Sequence, residues 1–177
     1  MHPTTNSLFL DNFKFLLITN NFTIMEKTLV IIKPCGIRRG LIGEVIQRFE
    51  RRGLQLSAMK MVQLTEDVLR EHYAHLVQKP YYQRIVESMM MTPVIICCWQ
   101  GVDAVNIVRI MAGPTNGREA LPGTIRGDYS VSVQENIVHT SDTVDNAKIE
   151  LKRFFEDKEI FEFEKLNKNV FYANDEI

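Results

Sequence analysis

Apolar positions along the chain fall into two rhythms, and their alternation lays out a mixed α/β order. Thr28 to Ile32 (TLVII) is a short β-branched run, a buried strand by length and content. It ends at Lys33-Pro34, with Cys35-Gly36 continuing the turn. From Leu41 the apolar residues fall at 41, 42, 45, 46 and 49, one face of a helix that Gly53 stops. Leu54 to Val62 alternates as a second strand. Thr65 is placed to cap a helix with Glu66 and Asp67 in its first turn and Leu69, Tyr73 and Leu76 on its inner side. Pro80 opens another helix through Tyr81, Ile85, Val86 and Met89. Val94 to Trp99 (VIICCW) is a third, fully buried strand, and a helix from about Asp103 to Met111 stops at Gly113. Gly113 to Asp128 holds four glycines and two prolines in sixteen residues, which predicts a loop without regular elements. A fourth strand lies in Ser130 to Val138, and a last helix runs from about Thr143 to Phe155 with Val144, Ala147, Leu151 and Phe154 inward.

With the paired helices set aside, this order is βαββαβ, which predicts a ferredoxin-like α/β fold: one antiparallel four-stranded sheet covered by helices. Neither a repeat nor a linker divides it, so a single domain is expected at residues 25–163. Residues 1–24 differ in composition, and their longest apolar run, Phe15 to Ile18, is too short for a signal-peptide core or a membrane span. They are expected to be a peripheral N-terminal extension. The tail turns polar after Glu156, and residues 164–177 are expected to form an arm over the surface.

Composition narrows the function classes. A chain of 177 residues with 45% apolar and 24% charged residues has the profile of an ordinary globular domain. Its formal charge of -1 supplies no general attraction to nucleic acid or anionic membrane. Local basic clusters remain at Arg38, Arg39, Arg51 and Arg52, best accounted for as a solvated helix face and its flanks. Cys35, Cys97 and Cys98 are odd in number and lack CxxC spacing, which argues against a disulfide framework or zinc site and for a reducing compartment, hence a cytoplasmic location. His72 and His75 share a helix face without HExxH spacing.

The stretch with the clearest chemistry is Asn136 to Asp142, NIVHTSD. Its histidine follows two apolar residues and precedes a helix start whose N–H groups can hold an anion. Taken alone, His139 is more often a structural side chain. No GxxxxGK[ST] occurs, and no GxGxxG follows a strand, so the usual phosphate loops are excluded. A dispersed set remains: Lys33 after the first strand, Arg109 late on a helix, Thr115 and Arg126 in the glycine-rich stretch, and Asn136. Cations with hydroxyl and amide donors suit a di- or triphosphate if the fold gathers them.

Taken together, TLVIIKPCGIRRGLIGEVIQRFERRG, EHYAHL with a following PYY, GPTN, PGTIRGDYS and NIVHTSD resemble the nucleoside diphosphate kinase family in order and spacing, from about Glu26 to Phe163. That resemblance implies a phosphotransferase moving the γ-phosphoryl of a nucleoside triphosphate, mainly ATP, to a nucleoside diphosphate through phosphohistidine, with ping-pong kinetics. By the match, His139 is the nucleophile and Glu150 the carboxylate that holds its ring. Lys33 reaches the transferred phosphate and the ribose. Arg109, Thr115 and Arg126 clamp the phosphate chain, and Asn136 binds a ribose hydroxyl. Tyr81 stacks on the base with Val133 on its other face, which implies broad base tolerance. Tyr73 and Ser141 supply hydroxyls near the histidine. Mg2+ is implied on the nucleotide phosphates rather than in a protein cage. Nucleoside di- and triphosphates are the implied partners, within a homo-oligomer, tetramer or hexamer, and without nucleic acid or membrane.

Departures from the family pattern carry their own expectations. Cys35 replaces the aspartate of KPDG and is expected to lose a turn or cap hydrogen bond of about 1 kcal/mol. Gly117 replaces a proline after TN and is expected to loosen the loop and the subunit contacts it supports. Thr140 replaces a glycine, adding bulk where φ would otherwise be free to turn positive. Tyr81 for phenylalanine is mild. Two rival functions are disfavoured. A regulatory module without turnover would be expected to lack His139, Lys33 or Arg126. An RNA-binding ferredoxin-like domain would carry aromatic strands, where TLVII and VIICCW are mostly aliphatic.

Overall fold

Strand β1 (Met25–Ile32) is the centre of the architecture, with Leu29, Val30, Ile31 and Ile32 wholly buried. The computed structural model describes residues 25–164, 168–173 and 176; residues 1–24, the expected extension, lie outside these. β1 pairs antiparallel with β3 (Val94–Val102), from Met25↔Val102 to Ile32↔Ile95. Its other edge takes β4 (Val138–Thr140), with Ile31 opposite His139. β2 (Gln55–Val62) flanks β3, giving the order β2-β3-β1-β4, the ferredoxin-like antiparallel sheet. The central strands are continuous apolar runs because both of their faces are covered.

Helices lie on both sides. One face holds Leu29, Ile31, Ile96 and Cys98 against α3 (Glu66–His72), α4 (Tyr82–Met90) and α7 (Val144–Phe154), through Leu69, Val86, Met89 and Leu151. The opposite face holds Val30, Ile32, Cys97 and Trp99 against α2 (Ile42–Arg51) and α5 (Ala104–Ala112), through Val45, Phe49, Ala104 and Val108. Trp99 meets Phe49 at 5.3 Å between ring centroids. Cys97 and Cys98 therefore point to opposite cores, and all three cysteines are free thiols.

The structure corrects several boundaries. The turn expected at 34–36 is a short helix, α1 (Pro34–Arg38), which Pro34 starts with its preset φ. Leu76 sits in a separate 3-10 turn, Ala74–Leu76, after α3 ends at His72, and the next helix begins at Tyr82 rather than at Pro80. Val144, expected inward, is 37% exposed in the first turn of α7. The glycine-rich stretch does contain regular elements, a 3-10 turn at Gly117–Glu119 and helix α6 (Ile125–Tyr129). Thr124 caps α6 by accepting the Gly127 N–H at 3.0 Å, a local signal that outweighs the glycine content. The fourth strand is only Val138–Thr140, because residues 130–136 spend their polar groups on turns: Ser130 Oγ donates to Ser132 O and Glu135 O, and Ser132 Oγ accepts the N–H groups of Gln134 and Glu135.

Beyond α7 the chain crosses the sheet edge. The Phe161 N–H donates to Ser57 O at 2.9 Å, and Glu159 and Glu162 pair with Lys60 and Lys27. A last helix, α8 (Lys168–Phe171), lays Phe171 over Gly53, and the Tyr172 hydroxyl accepts the Val102 N–H.

Gly117 is a fastener rather than a loosening point. Its N–H donates to Ser132 O at 3.1 Å, and a Cβ there would stand 2.5 Å from Ser130 O. Proline offers no such donor. Gly117→Pro is expected to lower stability by roughly 2–4 kcal/mol, read as a fall in the urea midpoint, with Gly117→Ala showing the steric part alone. Unchanged midpoints in both variants would contradict this role.

Candidate active site

A cleft of about 980 Å3 opens where α3, α4, the 113–136 segment, β4 and α7 meet. His139 enters it from β4, on the same sheet face as its pairing partner Ile31. Its Nε2 lies 2.9 Å from Glu150 Oε1, and the second carboxylate oxygen accepts from Ser141 Oγ at 2.5 Å. Ser141 Oγ also accepts the Leu29 N–H at 3.3 Å, tying the carboxylate to the central strand. Thr143 caps α7 at the Asn146 N–H and so starts the helix that brings Glu150 back to the histidine. Burial alone would raise the Glu150 pKa, but hydrogen bonds from His139 and Ser141 outweigh it, and the carboxyl is held below its ordinary range. As an acceptor-only carboxylate, Glu150 draws the ring proton to Nε2 and leaves Nδ1 with a lone pair.

The turn that delivers β4 is strained. Ile137 has φ +69°, and the Val138 N–H reaches back to Asn136 O at 2.8 Å, a γ-turn with positive φ at a β-branched residue. Strain of order 1–3 kcal/mol persists only where the surroundings over-determine it. Arg126 supplies that constraint: Nε donates to Asn136 O at 3.2 Å, Nη2 to Val138 O at 2.8 Å, and Nη1 to Gly113 O. One guanidinium thus spans the turn and pins it to the end of α5. Ile137 itself is fully buried, and its carbonyl accepts the Lys33 N–H at 2.9 Å. The positive φ falls at Ile137 and not at Thr140, which takes part in the β4 ladder, so threonine there needs no unusual backbone.

The dispersed cations do converge. Lys33, Arg109, Thr115, Arg126 and Asn136 all line the cleft with His139, as do Tyr81, Val133, Tyr73 and Glu150. Lys33 Nζ donates to Asn136 Oδ1 at 2.6 Å, while Asn136 Nδ2 donates to Thr115 O and Val133 O. Burial, and next the charge of Arg126, push the Lys33 pKa from 10.5 down to about 8. Burial and Arg109 bring the Arg126 guanidinium down to about 10. Tyr81 (39% exposed) and Val133 (50%) stand at the mouth. Of the supporting hydroxyls, Ser141 bonds the carboxylate, and the Tyr73 ring meets His139 edge-on at 6.0 Å. Arg38, Arg39, Arg51 and Arg52 do not line the cleft.

Several cleft residues had no role in the sequence reading, among them His72, His75, Arg84 and Arg153. His72 is packed edge-on against His139 at 4.4 Å, with Nδ1 3.8 Å from Glu150 and 3.4 Å from Arg153 Nη1. Burial, then the neighbouring His139, force its pKa down to about 3, so it is a neutral imidazole and not an ion-pair partner. Its position directly before Tyr73 was the available signal, but HExxH spacing was the wrong template for it. Cys35 likewise has an unforeseen partner. Its thiol lies against Glu135, and burial first, with that carboxylate adding, raises the thiol pKa. The start of α1 carries no side-chain cap, in keeping with the hydrogen bond that cysteine was expected to lose there.

A ferredoxin-like sheet whose cationic cleft surrounds a carboxylate-held histidine defines a small class of phosphate-handling domains, and the comparisons place the chain within it. The family model for nucleoside diphosphate kinase matches residues 26–160. The chain is 64% identical over 152 residues to a nucleoside diphosphate kinase of Parabacteroides distasonis, covering 86% of this chain and 99% of that one. It is 49% identical over 138 residues to the enzyme of Staphylothermus marinus, covering 78% and 98%. Among solved structures, the Halobacterium salinarum nucleoside diphosphate kinase in complex with CDP aligns with a TM-score of 0.82 at 36% identity, over 84% of this chain and 99% of that one. A transition-state mimic of the Borrelia burgdorferi enzyme with vanadate and ADP bound aligns at 0.78 and 34% identity, over 82% and 96%. The chain belongs to the nucleoside diphosphate kinase family.

Two outcomes check the electrostatics. Because the folded Lys33 pKa lies below its unfolded value, the unfolded chain binds the extra proton between about pH 8 and 10.5. That term makes stability rise with pH across this window. Lys33→Met is expected to remove that rise, measured as urea midpoint against pH; the same slope in both proteins would contradict it. Cys35→Asp sets a second carboxylate beside Glu135 and is expected to cost about 1–2 kcal/mol. Adding Glu135→Gln should recover most of that loss, and a double-mutant cycle without coupling would refute the contact.

Proposed function

We propose that the cleft moves a phosphoryl group from a nucleoside triphosphate, mainly ATP, to a nucleoside diphosphate, with His139 carrying it between the two. The observation that carries this reading is the 2.9 Å bond from His139 Nε2 to Glu150, which turns the Nδ1 lone pair to the task of nucleophile. Nδ1 attacks the γ-phosphorus, the bond to the bridging oxygen breaks, and its electron pair leaves with the diphosphate. The imidazolium charge that develops is offset by the Glu150 carboxylate. A second diphosphate then attacks through a terminal oxygen, and the P–N bond returns its pair to the ring. Identical groups serve both half-reactions, which implies ping-pong kinetics.

The other assignments follow the cleft's chemistry. Lys33, Arg109 and Arg126 supply positive charge for the phosphate chain, with Arg126 giving the N–H groups that its carbonyl contacts leave over. Asn136 and Lys33 exchange their mutual bond for the ribose and phosphate oxygens. Thr115 adds a hydroxyl near the phosphates. Tyr81 and Val133 face a base from two sides without reading its edges, which fits broad base tolerance. Two carboxylates line the cleft among the described residues: Glu150 is committed to His139 and Ser141, and Asp142 accepts from Asn146 at 2.6 Å. That donor set suits Mg2+ riding on the nucleotide phosphates and water, where it would neutralise oxygen charge.

A homo-oligomer, tetramer or hexamer, is supported by the part of the β2 edge beyond the Phe161 contact, where Met59 and Met61 are 51% and 58% exposed. Three free cysteines, of which Cys97 and Cys98 are buried, fit a reducing, cytoplasmic setting. Among the described residues no helix is long and apolar enough to cross a membrane. Residues 25–163 are assigned to the kinase domain; residues 1–24 and parts of the expected arm at 164–177 lie outside the described residues.

Incubation with γ-labelled ATP and magnesium, without acceptor, is expected to leave acid-labile, base-stable label on the protein. His139→Ala should take none, and Glu150→Gln should label at least about tenfold more slowly. Equal labelling of wild type and His139→Ala would overturn the mechanism.

A further inference from the structure

Behind the nucleophile, the described residues bring together His72, His139 and Glu150 with one ligating atom each, all within 4.8 Å of one another. His139 Nε2 and Glu150 Oε1 are 2.9 Å apart, and His72 Nδ1 stands 3.8 Å from the same oxygen. Ligands about 2.0–2.1 Å from a tetrahedral zinc lie roughly 3.3 Å from each other, so the two separations to Glu150 bracket the requirement, and the two imidazole nitrogens, within 4.8 Å, must close onto the cation. We propose that this trio is an inhibitory site for a borderline transition-metal cation such as Zn2+, distinct from the nucleotide's magnesium.

The donors are already prepared. Arg153 points Nη1 at His72 Nδ1 at 3.4 Å, so that nitrogen carries the lone pair and the proton sits on Nε2, a buried atom without a hydrogen-bond partner among the described residues. Arg153 is held separately by Glu71 at 2.8 Å, so a cation displaces only its weak contact to the ring while Glu71 keeps the guanidinium neutralised. Ser141 fixes the far oxygen of Glu150, the outer support that a ligating carboxylate needs.

The consequence concerns His139 itself. A metal on Nε2 takes the place of the proton shared with Glu150, and a neutral ring so bound carries its proton on Nδ1. This consequence rests on Nδ1 being the phosphoryl acceptor, as proposed above. The metal-loaded protein then has no nucleophilic lone pair facing the nucleotide. Magnesium does not produce this state, because it prefers six oxygen ligands, whereas two imidazoles and a carboxylate suit zinc, cobalt and nickel.

Nucleotide-free protein titrated with Co2+ gives a readout independent of activity. One equivalent is expected to bind with the intense visible bands of low-symmetry cobalt, and Zn2+ should displace it. His72→Gln should weaken binding at least about tenfold, while His75→Gln, an exposed histidine of the same cleft, should leave it unchanged. Added to the labelling reaction under excess magnesium, Zn2+ should suppress phosphohistidine formation, with a midpoint shifted to higher zinc in His72→Gln. No cobalt spectrum, or one untouched by His72→Gln, overturns the site. Binding without suppression overturns the inhibition. Absence of label without zinc would instead overturn the proposed function, and the cobalt titration would still judge the site.

Discussion

One hydrogen bond, from His139 Nε2 to Glu150, decides which face of the imidazole meets the cleft, and much of the structure exists to hold its two ends. The histidine end is fixed by β4 pairing with the buried strand β1. The carboxylate end is fixed by α7, whose Thr143 cap sets the helix start and whose Leu151 and Phe154 anchor it on the sheet. Ser141 joins both ends, taking the Leu29 N–H and donating to the carboxylate. Rotating the ring would break the bond and present Nε2 in place of Nδ1.

Delivery of His139 depends on local strain, and that strain depends on Arg126. A β-branched residue at φ +69° is stable here because Ile137 is buried and one guanidinium holds the carbonyls on both sides of it. The same cation lines the cleft with Lys33 and Arg109, so bracing and charge are met by one side chain. The result is a cleft where, among the described residues, Lys33, Arg84, Arg109, Arg126 and Arg153 outnumber the carboxylates Asp142 and Glu150. Lys33 is pushed down to about 8 by burial and by Arg126, a cost that a bound polyphosphate would relieve. Keeping His72 neutral avoids adding another positive charge beside His139.

Much of this was legible in the chain because the signals are local. TLVII and VIICCW announce buried strands, Thr65 caps where it is expected, the last helix starts beside Thr143, and the βαββαβ order follows. The spread of motifs picked out the histidine, the carboxylate and the cations that the fold then gathers. What stayed hidden has tertiary causes. β4 is short because Ser130 and Ser132 satisfy the backbone locally, and the strained residue is Ile137, where side-chain type argues against positive φ. α6 was masked by its glycines, although Thr124 marks its start. His72 and Glu135 acquire meaning only from neighbours far off in sequence. The Cys35 and Gly117 departures, read singly as losses, are accommodated by Glu135, Ser130 and Ser132.

The most direct test of the central claim is to observe the ring nitrogens of His139. Two-bond proton–nitrogen correlation spectra of nitrogen-labelled protein, before and after phosphorylation, distinguish protonated, free and phosphorylated nitrogens. The account predicts a protonated Nε2 and a free Nδ1 in the unmodified protein, with phosphorus on Nδ1 and the proton still on Nε2 afterwards. A protonated Nδ1 in the free protein, or phosphorus on Nε2, would contradict it.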